Sequence, residues 1–463
     1  MATYSGTDVL WHGEPIKVVI HFDSNTTYTV YSVTGYDSSG NYIKKIDFNL
    51  SEGNNRVNPL GIATSNSISM SIFDIEDRLS PDNIDSPYYG KTVNGVKVEV
   101  FISYDGENWT PYGIYYTVSW SGSFSEGYHN FVNVSAEDKM NTIGNMDMPE
   151  IPAYSGIYSA NLIGSVMEGI GLSQAEYYVD ERINEQMTYG ITTGSKVRDF
   201  MNNICQLLFA RVIIDRSGRV CFVPALDTYE NANVFELTSG ETGALSNKNT
   251  NNINYNRLRV KYLVYQGTGD RAEIFRATRS LSVGLNSIND IQFSKKALSI
   301  EQVKALFDKG NSTALIDNIY YTGFQNGIQL HVNVTGEAIS SCEFIGSGVT
   351  ISTTDAFADL SIGNASVIGG STFEFDTKQI MDETKANEIA LKLRAYLTAV
   401  SRNIGMSGTV LSPRLYVGDK IEISSTGTMY DGLYKVTNEQ ISMGEDYSMS
   451  LNLIRVEEEE AAE

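Results

Sequence analysis

The chain has 463 residues, enough for roughly two to four domains, and 41% of them are hydrophobic, so each domain can bury a core of its own. A formal net charge of −22 argues against nucleic-acid binding, because such binding needs a basic surface. There is no apolar run of about 18 residues and no basic, apolar N-terminus, which argues against a membrane-spanning helix and a secretory signal.

Residues 1–145 are predicted to form a β-barrel. Between 67 and 72, isoleucine and methionine alternate with serine, and the same period of two recurs at 96–102, 112–120 and 132–136. This alternation is typical of strands that are buried on one face. Residues 16–22 and 28–33 are strand-like as well. Four strands with short turns can bury one another, and none of them carries a nucleophile next to a base.

A small α+β module is predicted at residues 150–226, after a boundary marked by Pro149 and Pro152. Apolar residues at helical spacing predict one helix at 162–170, with Gly171 as its C-terminal cap, and a second helix at 196–208. A hairpin follows, with strands at 211–214 and 219–224 around a turn at 215–218. The module therefore reads as two helices and a hairpin.

A second β-barrel is predicted at residues 227–290 and 376–456, interrupted by an inserted β-rich segment at 291–375. A Ser/Glu capping arrangement predicts a helix at 299–307, and an apolar stripe predicts a long helix at 382–402. After it, Gly418-Asp419 form a tight turn that leads into a strand ending at Ile423. Two more strands follow at 433–436 and 449–453, and an acidic tail occupies 457–463. The predicted fold class is α+β, mainly β, with two tube-like β-barrel domains and the small module between them.

The sequence contains only weak signals for a catalytic or metal-binding site. The loop with Asp74, Glu76, Asp77, Asp82 and Asp85 has the carboxylates that calcium favours, but the spacing is not that of an EF-hand, so a solvated turn is the favoured interpretation. The histidines (His12, His21, His129 and His331) form no metal motif, and no Gly-x-Ser-x-Gly elbow occurs. A glycosidase pair among the many carboxylates stays a minority hypothesis. We therefore predict no catalytic, cofactor-binding or metal-binding residues, no cofactor and no enzyme activity.

Two further residue sets have structural interpretations. Cys205, Cys221 and Cys342 lack Cys-x-x-Cys spacing and are predicted to be buried free thiols. An aromatic set could instead form a carbohydrate-binding platform, although alternation along a strand places about half of such residues in the core. This set comprises Tyr88, Tyr89, Trp109, Tyr112, Tyr115, Tyr116 and Trp120.

Four features, in this order along nearly the whole chain, carry a resemblance to a known family. They are the loop 74–90 running into strand 96–102, the strand 112–120 followed by one that ends in Ala136-Glu-Asp-Lys-Met140, the helix and hairpin at 196–224, and the helix 382–402 leading to Leu415-Tyr-Val-Gly-Asp-Lys-Ile-Glu-Ile423. Through the order of these four features, the chain resembles the baseplate hub and tail-associated proteins of long-tailed bacteriophages and related contractile injection systems.

The resemblance implies a structural protein located in the virion tail and made in the bacterial host cytoplasm. Three subunits with two barrels each would form a ring of six similar barrels, which adapts a sixfold tail tube to a threefold central spike or fibre and lines the DNA channel. The implied partners are the tail tube or distal tail protein and a spike, fibre or tape-measure protein. Because the chain stops at Glu463, we expect any spike or lysin to be a separate chain. A carbohydrate- or receptor-binding tail module is the alternative.

Overall fold

A computed structural model describes the chain at residues 2–10, 13–32, 40–51, 63–75, 77–125, 129–151, 154–190, 195–225, 232–238, 241–247, 255–267, 272–277, 287–292, 296–307, 313–315, 319–324, 327–332, 339–361, 371–380, 383–399, 403–408, 411–412, 414–424, 427, 430–444 and 447–456. The chain is mainly β, with few helices.

The first region consists mainly of antiparallel strands; its first strand is the exception, since it pairs parallel with a later strand. The elements are β1 (Thr3–Tyr4), β2 (Ile16–His21), β3 (Thr27–Tyr31), β4 (Tyr42–Ser51), β5 (Ser67–Phe73), β6 (Lys97–Ser103), β7 (Trp109–Ser125), β8 (His129–Glu137) and helix α1 (Lys139–Gly144). Hydrogen bonding gives the order β3-β2-β6-β7-β8-β5-β4, which we call the N-terminal β unit. Along β5 the isoleucine and methionine side chains are buried and the serines between them reach the surface. The predicted alternation is therefore confirmed.

The predicted helices and hairpin of the small module are also confirmed. The elements are β9 (Tyr154–Tyr158), α2 (Ser159–Gly169), β10 (Tyr177–Val179), β11 (Gln186–Gly190), α3 (Val197–Leu208), β12 (Ala210–Ile214) and β13 (Val220–Pro224). Gly171 has φ +92°, and its N–H donates to the Glu168 carbonyl, so it ends α2 in the left-handed conformation that glycine adopts without strain.

The rest of the chain contributes to three sheets. Its elements are β14 (Val234–Leu237), β15 (Ala244–Asn247), β16 (Tyr255–Gly267), β17 (Ala272–Ala277), β18 (Ser287–Gln292), β19 (Lys296–Phe307), β20 (Thr313–Leu315), β21 (Ile319–Phe324), β22 (Gly327–Val332), β23 (Ile339–Ser361), β24 (Ser371–Ile380), α4 (Glu383–Ala399), β25 (Asn403–Ser407), β26 (Lys420–Ile423), β27 (Gly432–Gly444) and β28 (Ser448–Arg455). Strands β1, β14, β15 and β25–β28 continue the sheet of the N-terminal β unit, and we call them the C-terminal β unit. Strands β16–β24 form a six-stranded and a three-stranded sheet.

Strand β27 joins the two β units. Its residues 438–444 pair antiparallel with β4, and its residues 432–435 pair with β26 along the same edge. The opposite edge of β27 pairs with β28. The Asn438 side chain also donates to the carbonyl of Leu50, 388 residues earlier, at 3.1 Å. Buried side chains from both units form one hydrophobic core, so the beginning and the end of the chain fold as one body.

A second core lies between the α+β module and the chain after residue 255. It contains apolar side chains of α2 and α3, together with Leu258 and Val260 of β16 and Ala386, Ile389 and Leu393 of α4. The structure thus places β16 and α4 against the module, whereas both were predicted to belong to the second barrel.

Leu393 tests the buried face of α4. It is fully buried, whereas Leu391, two residues earlier on the same helix, is 56% exposed. Leu393→Ala is expected to lower the free energy of unfolding by about 2–5 kcal/mol, because it leaves a cavity in the second core. The matched change Leu391→Ala should cost less than about 0.5 kcal/mol in the same urea titration. Equal effects would mean that the helix face is assigned wrongly.

The prediction of a helix at 299–307 is wrong. This segment lies in β19, which pairs antiparallel with β23 from Lys296 to Phe307 and with β20 at residues 304–306. The long β23 offers backbone partners along the whole segment, and this tertiary pairing overrides a local capping signal. The predicted helix 382–402 is confirmed over Glu383–Ala399 as α4; residues 382 and 400–402 lie outside the described residues, and strand β25 begins at Asn403. In the ranges given above, no helix is long and apolar enough to cross a bilayer.

Candidate functional site at the junction of the β units

The turn between β12 and β13 reaches both β units. Within the turn, the Asp215 carboxylate accepts hydrogen bonds from the backbone N–H groups of Ser217 and Arg219, each at 2.9 Å. Gly218 adopts φ +76°, and a Cβ built there would lie 3.3 Å from the Ile114 side chain of β7. A glycine is thus required by the backbone conformation, and it lets the turn lie close against the N-terminal β unit.

Arg216, at the tip of this turn, connects three parts of the molecule. Its Nη2 atom donates to the carbonyl oxygens of Arg414 and Leu415 at 3.0 and 2.8 Å. The guanidinium also lies 5.1 Å from the ring centre of Tyr112 on β7 and 4.7 Å from that of Tyr416. The Tyr416 hydroxyl in turn donates to the Ile214 carbonyl at 3.2 Å. One side chain of the α+β module thus contacts both β units.

Three carboxyl groups are buried near this attachment. Glu439 on β27 is 0% exposed, and neither of its carboxyl oxygens has a hydrogen-bond partner. Burial raises its pKa to about 8; Asp419 also acts to raise this pKa, whereas Arg216 acts to lower it. Asp419 accepts from the Asn233 and Tyr416 N–H groups, and burial raises its pKa to about 6. Asp138 caps helix α1, and burial raises its pKa to about 7.

From the raised pKa values of Asp138, Asp419 and Glu439 we expect the stability of the fold to decrease with rising pH. Each holds its proton more tightly in the folded chain than in the unfolded chain, so the folded state binds more protons between about pH 5 and 8. The free energy of unfolding should therefore fall as the pH rises through this window. Hydrogen bonds to lysines lower the pKa of Asp23 and of Glu176 to about 2. These two carboxyl groups therefore change the stability only at pH values below this window. Urea titrations at pH 5, 6.5 and 8 measure the effect, and a constant or rising stability would contradict it.

The acidic loop predicted as a weak metal candidate has a structural carboxylate at its start. Asp74 is fully buried and accepts from the Leu79 N–H at 2.6 Å and from the Asn41 side chain at 3.2 Å. Asp82 and Asp85 lie in the turns that follow, Asp77 has φ +53°, and Glu76 lies outside the described residues. In the described part of the chain, no group of three or more histidine, cysteine, aspartate or glutamate side chains is placed to hold a metal ion. Asp74 therefore organises the loop.

The other candidates are dispersed. Nε2 of His21 lies 2.8 Å from the Glu99 carboxylate; His129 and His331 lie in β8 and β22, and His12 lies outside the described residues. Cys205 and Cys221 are buried free thiols, as predicted, and Cys342 lies in β23.

The aromatic set is divided between the core and the surface. Tyr112 and Tyr115 are buried, and Tyr116 is half-buried. Trp109 packs on Tyr31 with ring centres 5.6 Å apart, while Tyr88 and Trp120 pack on Phe22. Tyr89 is 51% exposed. Most residues of the aromatic set therefore pack against other side chains, and they do not form the single carbohydrate-binding platform considered above.

Neither Arg216 nor Glu439 was among the residues predicted from sequence. A usable signal existed for Glu439, because it precedes Ile441 and Met443 with a period of two, which places a carboxyl group on the buried face of its strand. No comparable signal existed for Arg216, since arginine in a polar turn is usually solvated.

The comparison with known proteins gives a likeness of fold. No protein-family model and no curated protein matches the chain. The 43 kDa tail protein of prophage MuSo2 from Shewanella oneidensis superposes with a TM-score of 0.52 at 10% identity, over 96% of this chain and 98% of that chain. The tail protein from Neisseria meningitidis MC58 gives a TM-score of 0.52 at 8% identity, over 96% and 97%.

The chain has the fold of these tail proteins. The resemblance to phage tail proteins that the sequence predicted is thereby confirmed at the level of fold, over nearly the full length of both chains.

Proposed function

We propose that this chain is a structural hub protein of a phage-type tail. The observation that carries the proposal is the likeness of fold to two tail proteins along almost the whole of each chain. The contacts between the β units and the module also support the proposal, because a structural hub must transmit force without deforming. Strand β27, the shared core and Arg216 connect the two β units and the module into one body.

The proposed assembly is a homotrimer in the virion tail. Two tube-like β units per subunit would give six similar positions around the ring, which would fit a sixfold tail tube on one side and a threefold spike or fibre on the other. A tail tube or distal tail protein and a spike, fibre or tape-measure protein are the proposed partners. The role is mechanical and non-enzymatic, with the ring lining the DNA channel.

Light scattering on the purified chain tests the oligomeric state. The proposal predicts a mass three times the 51.1 kDa of the chain. A monomer over the whole accessible concentration range would count against a hub that assembles by itself. It would favour the receptor-binding alternative, which a glycan-binding screen of the same sample would then examine.

A further inference from the structure

Glu439 is a buried carboxyl group for which the fold provides no hydrogen bond. It is 0% exposed, and both of its oxygen atoms lack a donor. Its neighbours across the sheet are Leu50 on β4 and Leu451 on β28, so neither flanking strand supplies a polar side chain at this level. Buried polar groups without partners are rare in native proteins, and each calls for an explanation.

The groups that face Glu439 come from three other elements. Tyr112 and Tyr115 approach from β7, Arg216 from the turn of the module, and Tyr416 and Asp419 from the segment 414–419. The hydroxyl of Tyr112 also lacks a hydrogen-bond partner. Arg216 is the cation of this set, and it donates to the carbonyls of the segment 414–419 rather than to the carboxyl group.

We propose that the protonation state of Glu439 controls the junction, by which we mean the contact between the turn 215–218 and the segment 414–419. The junction is closed when Glu439 carries its proton and opens when the proton is lost. With its proton the carboxyl group is neutral, so it can lie in the core while Arg216 holds the segment 414–419 to the module. Without the proton, the carboxylate must gain either Arg216 or water. Either movement loosens the contact between the turn 215–218 and the segment 414–419. A cavity of about 470 Å³ is lined among others by Arg216, Tyr416 and Asp419, and we expect the water to enter from it.

The direction of the effect follows from proton linkage. In the closed junction the pKa of Glu439 is about 8, and on opening it returns towards its ordinary value of 4.5. The closed state therefore binds the additional proton. Opening becomes about tenfold more favourable for each unit of pH between about 5 and 8, and gains little above that range.

Hydrogen–deuterium exchange of the full chain measures this opening. Wild type and Glu439→Gln are compared at the same pH, at 5.5, 7 and 8.5, so that the intrinsic pH dependence of exchange cancels. In peptides covering 210–224 and 411–424, the exchange rate of wild type divided by that of Glu439→Gln should be smallest at pH 5.5. This ratio should be at least about tenfold larger at pH 8.5.

The exposed glutamate Glu422 on β26 offers a matched control, since Glu422→Gln should keep the wild-type profile. Parallel exchange of wild type and Glu439→Gln at all three pH values would overturn the proposal. Faster exchange of Glu439→Gln already at pH 5.5 would overturn it too, and Glu439→Met gives the same comparison if the glutamine variant does not fold. Because the measurement concerns one chain, it is independent of whether that chain forms a trimer.

Discussion

Val98→Asp is expected to abolish the native fold and, with it, any assembly of the chain. Val98 is fully buried on β6, where its neighbours across the sheet are Ile20 on β2 and Tyr115 on β7, both of them buried. A carboxylate at this position has no cation in register with it. The cost of burying it is therefore several kcal/mol, a large part of the total stability of an ordinary domain.

Circular dichroism and urea titration check this first prediction. Ser119→Asp introduces the same carboxylate on β7, but at an exposed position, and it should change the free energy of unfolding by no more than about 0.5 kcal/mol. If Val98→Asp kept a cooperative unfolding transition at the wild-type urea concentration, the buried face of β6 would be assigned wrongly.

Arg216→Ala should produce the second large loss of stability. The substitution removes the donor of two carbonyl oxygens and the stacking of the guanidinium on two tyrosine rings. A buried carbonyl left without a donor costs about 1–3 kcal/mol, and a desolvated cation–π contact contributes up to about 2 kcal/mol. We expect a total loss of about 3 kcal/mol and an early separation of the module from the β units.

Arg219→Ala is the control from the same turn. Arg219 is exposed, and its ion pair with Asp215 at 2.7 Å lies at the surface, where such pairs contribute less than about 1 kcal/mol. Thermal unfolding of the two variants in one buffer separates the positions. Equal losses for Arg216→Ala and Arg219→Ala would show that the turn acts as a whole and that Arg216 has no special role.

Local structure could be predicted from sequence wherever the pattern and the packing agreed. The serine alternation of β5, the apolar stripe of α3 and the glycine that ends α2 each lie on the face or at the position that the pattern indicates. These features depend on neighbours close in sequence, and their periodicity reports directly which side is buried.

Long-range pairing could not be predicted. The segment 299–307 carries a local helix signal, but β23 supplies backbone partners to all of its residues except Glu301, and the segment becomes a strand. Likewise, nothing local announces that residues 438–444 pair with β4 or that Arg216 enters the junction. Such contacts depend on the assembled core, in which distant segments compete for the same backbone groups.

We propose that this chain forms the ring of a tail hub, and electron microscopy of the purified protein can establish whether it does. We expect particles with threefold symmetry, a central hole, and two similar β units from each subunit around it. Compact particles without a hole, or rings whose symmetry is not threefold, would contradict it.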